Sequence, residues 1–205
     1  QSALWQADLA NVRNPRLLRA LRARLLQFAE FTLHEHSPAI GLLRAGAQVI
    51  GVATQAAEYR ADAVVVATGA WTGDWLAQEG VSLPVVPVKG QMLLYKREPG
   101  WLKSVVLYEG RYAIPRRDGH ILIGSTLEHT GYDKSTSTEA LSSLRQSAEG
   151  LLPELRDLEP VAQWAGLRPG SPEGVPYIGP VMELPGLWLN AGHYRNGLVL
   201  APASC

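Results

Sequence analysis

The sequence predicts an α+β fold in which a large antiparallel sheet accompanies a smaller unit of the parallel type. Val64, Val65 and Val66 form an uninterrupted β-branched run, which is typical of a parallel strand buried on both faces. Residues 85–125 instead alternate between apolar and polar side chains, the pattern of antiparallel strands with one face on a core. Two further segments, near residues 15–30 and 137–152, have apolar residues at helical spacing.

Composition narrows the class of protein and of partner. The 205 residues are 46% hydrophobic and 19% charged, which suits one large or two small globular domains and excludes a disordered chain. Nineteen Lys and Arg balance nineteen Asp and Glu, so the charge does not predict binding to nucleic acid or to an anionic membrane. A single cysteine, Cys205, excludes an internal disulfide framework and a multi-cysteine metal site, and we expect a cytoplasmic location.

The first third of the chain predicts a helix, a meander and a tight turn. Asn14 and Pro15 read as an N-cap and a first helical residue, so we expect a helix from 15 to about 30. Short alternating segments over 31–60 predict a small antiparallel meander. The strand at 64–66 then ends at Thr68 and Gly69, which is either a nucleotide contact at the carboxyl end of a parallel strand or a plain strand-to-helix turn.

The middle third predicts antiparallel strands and one helix. Strands are expected over 85–96, 105–108, 111–117 and 120–125, with Asp118-Gly119 as a two-residue hairpin turn. That turn would place Tyr112 opposite Ser125. Thr136 and Glu139 have the spacing of a capping box at the start of a helix that stops before Pro153.

The final third holds most of the residues suited to chemistry. Strand alternation places Trp164, Gly166 and Arg168 on one face, where glycine would let a flat group approach closely. A short strand from Leu187 leads into Gly192, a polar loop and a second glycine that opens a helix. The start of a helix offers unpaired amides that suit an anion or an electron-rich heterocycle.

Several common catalytic motifs are absent from the sequence. It contains no GxGxxG, P-loop, HExxH or GxSxG pattern, and no His, Asp and Glu spacing typical of a metal site. Hydrolase and metalloenzyme functions are therefore disfavoured. We assign no general acid or base and predict no metal.

A set of short motifs, in this order along the chain, resembles the D-amino-acid-oxidase family of FAD enzymes, and within it the glycine oxidases of thiamine biosynthesis. Each motif alone is weak, but their shared order makes the resemblance specific and extends it over nearly the whole chain. The motifs are ATGAW at 67–71, PVKGQ at 87–91, YAIPR at 112–116, GSTLE at 124–128, WAGLRPG at 164–170, PYIG at 176–179 and GHYRNG at 192–197.

The resemblance implies a Rossmann-like FAD domain interleaved with a substrate domain built on an antiparallel sheet. Residues 1–83 and 165–205 would be parts of the FAD domain, and residues 84–164 the substrate domain. In this family the dinucleotide fingerprint precedes all of these motifs, and a helix follows the Ala-Pro segment. Because the sequence begins at Gln1 without the fingerprint and ends at Cys205, we expect a C-terminal fragment that does not bind FAD tightly by itself.

The resemblance also implies the residues of the substrate site. Arg168 and Arg195 correspond to the arginines that bind the substrate carboxylate, with Tyr112 as a supporting hydroxyl. Leu127 stands where an apolar residue lines the site. The alternative is purely structural: Arg168 would pair with a surface acid such as Glu173, and Tyr112 would belong to the core.

FAD is the cofactor implied by the resemblance. The activity implied is oxidative deamination of glycine or another small D-amino acid or amine, by hydride transfer to flavin N5 with oxygen as acceptor. A D-amino-acid dehydrogenase, a sarcosine-oxidase-like enzyme and a non-catalytic binding module remain alternatives, and assembly into a homo-oligomer is left open. The residues expected to contact the cofactor are Ala39, Thr68, Gly69, Gly166, Gly192, His193, Tyr194, Arg195, Asn196, Gly197, Leu198 and Val199.

Overall fold

A computed structural model of the chain describes residues 3–8 and 10–205. The expectation drawn from Gln1 lies outside these described residues. The chain forms two compact units, Gln1–Ser37 and Pro38–Cys205.

Among its described residues, the first unit has one helix, α1, over Asn14–Leu25. The predicted proline at the helix start is confirmed, but the N-cap is Arg13 rather than Asn14, and its side chain makes no capping bond. The predicted end near residue 30 is wrong, because the helix stops at Leu25. None of its residues is buried, so tertiary packing within this unit does not extend it.

The second unit begins with the predicted meander. Strands β1 (Ala39–Ala45), β2 (Gln48–Thr54) and β3 (Glu58–Arg60) form an antiparallel sheet in the order β1-β2-β3. Residues 31–38 are not part of it. The meander prediction is therefore confirmed from Ala39 onward.

A second sheet joins distant parts of the chain. Strand β4 (Val64–Val66) pairs in parallel with β11 (Leu187–Ala191), which pairs antiparallel with β10 (Tyr177–Pro180). The parallel strand is confirmed, but burial on both faces is not: Val65 is 60% exposed in this chain. Helix α2 (Thr72–Gln78) follows β4, and its Leu76 packs in a core cluster with Val66 and Leu187.

The third sheet is the largest and has helix α3 (Thr138–Leu151) on one face. Its strands are β5 (Val86–Lys96), β6 (Val106–Tyr108), β7 (Arg111–Pro115), β8 (His120–Gly124) and β9 (Ala162–Gly170). They are antiparallel, in the order β6-β7-β8-β5-β9. A last helix, α4, spans Gly197–Leu200. The division at 1–83, 84–164 and 165–205 stays a prediction, and β9 crosses its second boundary.

The predicted hairpin forms, but its register differs by one residue. Tyr112 pairs with Gly124 instead of Ser125. The loop holds three residues, because Arg116 N–H donates to the carbonyl of His120 (2.7 Å) and Gly119 N–H to that of Arg116 (3.0 Å). Gly119 has φ +86°, the left-handed conformation that adds one residue to a hairpin loop.

The N-cap of α3 is Ser137 and not the predicted Thr136. Its Oγ accepts a hydrogen bond from Ala140 N–H (3.2 Å). Its own N–H donates to the side-chain oxygen of Gln91 (3.0 Å), a fully buried residue of β5. A contact with the sheet thus selects the first residue of this helix.

Candidate functional site

The candidate site lies on the face of the large sheet opposite α3. Leu93 and Ile123 pack against α3, so their strand neighbours point to the other face. There Met92 pairs with Trp164, Gly90 with Gly166 and Val88 with Arg168. The predicted common face of Trp164, Gly166 and Arg168 follows from this register.

Arg168 extends across the sheet from β9. A Cβ on Gly90 would overlap its guanidinium group, so the side chain lies directly over that glycine. Its Nη2 donates to Ser125 Oγ (2.6 Å) and its Nη1 to the carbonyl of Thr126 (3.4 Å). In the part of the chain that the structure describes, Arg168 makes no ion pair with a carboxylate, so the alternative pairing with Glu173 is not observed.

Tyr112 lies on the same face of the sheet. Its pairing partner is Gly124, and a Cβ on that glycine would lie 2.6 Å from the Tyr112 hydroxyl oxygen. Leu127 follows two residues after Ser125 and is 46% exposed. Arg168 and Tyr112 therefore converge on the chain around residues 124–126.

The structure adds residues that the sequence did not identify as site residues. Ser125 and Thr126 hold the Arg168 guanidinium, and Gly90 and Gly124 make room for the two long side chains. Arg111 donates to the carbonyl of Ser125. A glycine inside an alternating strand is the signal that predicts such close approach, and it applies to Gly90.

Some residues predicted to contact the cofactor line one cavity of about 280 Å³. They come from the turn after β4 and the loop after β11, which the parallel pairing of these strands brings together. Thr68, next to the cavity, shares a hydrogen bond with Thr72 (Oγ1 to Oγ1, 3.0 Å). The predicted residues in the lining are Gly69, Gly192, His193 and Gly197.

Two features of the cavity lining suit a flat heterocycle with polar edges. Two of its lining residues, Asn190 and His193, have buried side-chain atoms, Oδ1 and Nε2, that lack a hydrogen-bond partner within the described ranges. Buried polar atoms of this kind favour a ligand with matching polar edges. A Cβ on Gly69 would meet no atom within 4 Å, so the wall there is open. The lining fits the ring system of a flavin.

The other predicted cofactor residues lie outside the lining of the cavity. Ala39 begins β1, and its carbonyl accepts from Trp75 Nε1 (2.9 Å). Tyr194 N–H donates to the carbonyl of Pro169 (3.0 Å), which ties the loop to the end of β9. Arg195 is exposed, with its guanidinium carbon 5.3 Å from the centre of the Tyr194 ring. The remaining members of the predicted set are Gly166, Asn196, Leu198 and Val199.

A charged network lies on the opposite face of the sheet, beneath the site. Lys89, 3% exposed, donates to Asp133 (Nζ to Oδ2, 2.7 Å) and lies 3.8 Å from Glu128 Oε2. The hydrogen bond from Lys89, supported by Ser135, lowers the pKa of Asp133 to about 2. Burial, with a hydrogen bond to Asp74, raises the pKa of Tyr132 to about 12.

The described residues contain neither a cluster suited to a metal ion nor a helix suited to a membrane. No three His, Cys, Asp or Glu side chains are placed to hold a metal ion there. None of the helices formed by residues 3–8 and 10–205 has the length and apolar character needed to cross a membrane.

Comparison with known proteins places the chain among flavoenzymes. Residues 1–205 match the DAO family, described as FAD dependent oxidoreductase. A glycine oxidase of Pseudomonas aeruginosa is 64% identical over 205 residues, which are 100% of this chain and 56% of that protein. The chain spans about half the length of the curated relatives it matches.

Solved structures agree with this assignment. The glycine oxidase from Bacillus cereus ATCC 14579 has a TM-score of 0.77 and 32% identity, covering 83% of this chain and 48% of that one. The iminodiacetate oxidase from Chelativorans sp. BNC1 has a TM-score of 0.82 and 28% identity, covering 92% and 52%. The predicted fold and the resemblance stated from the motifs are both confirmed: the chain belongs to the DAO family of FAD-dependent oxidoreductases.

Proposed function

We propose that this chain provides the amino-acid site and part of the flavin site of an oxidase that deaminates glycine or another small D-amino acid. The observation that carries the proposal is Arg168, a partly buried cation held over Gly90 by Ser125 and Thr126, without a carboxylate partner in the described part of the chain. A partly buried guanidinium that lacks an internal anion favours an anionic ligand.

The carboxylate of the substrate is the anion that suits this arrangement. Ser125 and Thr126 each accept one hydrogen bond from the Arg168 guanidinium. Its remaining N–H groups are available as donors to a carboxylate. The Tyr112 hydroxyl lies on the same sheet face and would donate to the same group. Leu127, the residue after Thr126, would limit the size of the substrate side chain. The name of the 64% identical relative, glycine oxidase, supports a small substrate.

Residues around the cavity would hold the cofactor. Gly69 leaves space for a flat ring, while Asn190 Oδ1 and His193 Nε2 would meet its polar edge. When bound there, FAD would supply the redox chemistry as acceptor of the substrate hydride, with oxygen as the final electron acceptor and water for hydrolysis of the imino acid. The chain's own residues bind and orient the substrate, so no general base is required of them.

The proposal includes a cytoplasmic location and oxygen as the electron acceptor. The absence of paired cysteines supports a reducing compartment. Oxygen uptake with glycine separates an oxidase from a dehydrogenase, which would reduce only an artificial dye. A panel of glycine, sarcosine and small D-amino acids ranks the substrates in the same assay.

The test replaces Arg168 by alanine in the full-length flavoprotein. We expect kcat/KM for glycine to fall by about a hundredfold, because an unpaired carboxylate in a desolvated site costs roughly 3 kcal/mol. Arg195→Ala tests the second arginine of the resemblance, with KM expected to rise and kcat to fall. Arg117→Ala removes an exposed arginine of the hairpin loop and serves as the control. Unchanged kinetics of Arg168→Ala at full flavin content would contradict the proposal.

A further inference from the structure

The segment 125–133, which holds Arg168 on one face of the sheet, is anchored from the other face by a buried lysine. Lys89 immediately precedes Gly90 on β5, so the two residues point to opposite faces of the strand. Its side chain is 3% exposed and donates to Asp133, with Glu128 Oε2 at 3.8 Å. Lys89 therefore lies behind the glycine over which Arg168 extends.

Backbone bonds fix the same segment to β5 in register. Lys89 N–H donates to the carbonyl of Glu128 (2.9 Å), and Glu128 N–H donates to the carbonyl of Lys89 (3.0 Å). Gln91 N–H donates to Thr126 Oγ1 (2.8 Å), and its side-chain amide donates to Glu128 Oε1 (3.0 Å). Two residues that follow β8, Thr126 and Glu128, are thus bonded to β5 before the segment reaches Asp133.

The charge of Lys89 adds ion pairs to the hydrogen bonds that connect segment 125–133 with β5. A buried ammonium group is stable only when paired, and Glu128 and Asp133 supply its two anionic neighbours. Their side chains are 26% and 48% exposed, so without the lysine the Asp133 carboxylate would turn towards water and Glu128 would keep only its neutral donors Gln91 and Thr126. Such a movement would shift Thr126 and Ser125, which contact Arg168.

We propose that Lys89 is a positioning residue for the amino-acid site, which acts through segment 125–133 on the orientation of the Arg168 guanidinium. Lys89 does not touch the substrate in this arrangement. The inference rests on the proposed function, since it assumes that Arg168 binds the substrate carboxylate. Under this inference, Lys89 determines substrate affinity from the face of the sheet opposite Arg168.

The test uses the full-length flavoprotein and acetate as a carboxylate probe, with its Kd measured from the change in flavin absorbance. We expect Lys89→Met to raise this Kd and the KM for glycine by about tenfold or more, with normal flavin content, because the carboxylate-binding group is misplaced. Lys89→Arg keeps the charge and should restore most of the affinity. Lys103→Met replaces an exposed lysine and should change neither value.

The outcomes distinguish the inference from the function on which it rests. A folded Lys89→Met variant with wild-type Kd and KM would overturn the inference. If that variant does not fold, Asp133→Asn decides, since it removes a half-exposed partner of the same lysine: a raised Kd supports the inference and a wild-type Kd overturns it. If Arg168→Ala leaves the Kd for acetate unchanged, the proposed function itself fails.

Discussion

Single glycines determine where the two long side chains of the site lie. Arg168 and Tyr112 cross the sheet over Gly90 and Gly124, where any Cβ would meet the guanidinium or the ring. At Gly90 the obstacle would be the flexible end of a side chain and not the backbone. Alanine at this position should therefore displace Arg168 more than it disturbs the sheet.

Gly90→Ala should raise the KM for glycine about tenfold or more while the fold is retained, because a small displacement of a binding group is costly. The measurement is steady-state kinetics together with a thermal unfolding curve. Gly150→Ala on α3 is the matched control, since a Cβ there meets nothing within 4 Å. It should leave KM unchanged and stabilise the helix by up to about 1 kcal/mol. A wild-type KM in Gly90→Ala would show that Arg168 does not depend on this glycine.

The ionisation of Asp133 makes stability depend on pH in the acid range. Its pKa falls from an ordinary 3.8 to about 2, chiefly through the hydrogen bond from Lys89. A lowered folded-state pKa stabilises the native protein fully above the ordinary value, and this contribution is lost as the pH falls through about 2.

Asp133→Asn should flatten this part of the pH profile. We expect the difference in unfolding free energy between wild type and variant to be constant above pH 5 and to shrink between about pH 4 and pH 2. Denaturant titrations across this range measure the difference. A gap that stays constant down to pH 2 would contradict the assignment.

At the scale of elements, helix α3 is joined to the large sheet at its first residue. Ser137 caps the helix with its Oγ, while its N–H and carbonyl bond to the side chains of Gln91 and Gln163. Gln163 also donates to Gln91 (3.0 Å), so β5, β9 and α3 share one polar contact. The start of the helix is consequently set by the two strands that carry Lys89 and Arg168.

Ser137→Ala should lower the free energy of unfolding by about 1 kcal/mol, the usual contribution of an N-cap hydroxyl. Thr136→Ala, at the cap that the sequence alone favours, should change it by less than about 0.5 kcal/mol. Urea denaturation of both variants gives the comparison. Equal losses, or a larger loss at Thr136, would be inconsistent with the observed cap.

At the scale of the whole molecule, the cavity depends on residues that are far apart in the chain. Gly69 follows β4 and Gly192 follows β11, and these two strands pair in parallel. The proposed amino-acid site is built differently, almost entirely within the large sheet and segment 125–133. The two sites therefore differ in the elements that build them, although Pro169, next to Arg168 on β9, also lines the cavity.

This difference predicts how the 205-residue chain behaves alone. It has no GxGxxG fingerprint to bind a pyrophosphate, so we expect no stoichiometric FAD on the purified chain. The full-length flavoprotein should carry about one FAD. The ratio of visible flavin absorbance to protein concentration measures both. Full occupancy of the 205-residue chain would contradict the expectation.

The sequence by itself determined the family, the antiparallel sheet, the parallel strand at Val64 and the helix after Ser137. These features depend on local patterns, namely residue periodicity, turn residues and ordered motifs, which are written in neighbouring positions. The sequence also identified Arg168 and Tyr112 through the family resemblance. It could not show that a glycine on a neighbouring strand lies beneath each of them.

Only the tertiary structure decided the register at Gly119, the cap at Ser137 and the exposure of Val65 in this chain. It also decided that Ser125 holds Arg168 and that Lys89 holds segment 125–133. Arg168 and Ser125 are 43 positions apart in the sequence, and Lys89 and Asp133 are 44 positions apart. No local pattern encodes such pairs, because their geometry exists only after the strands have aligned.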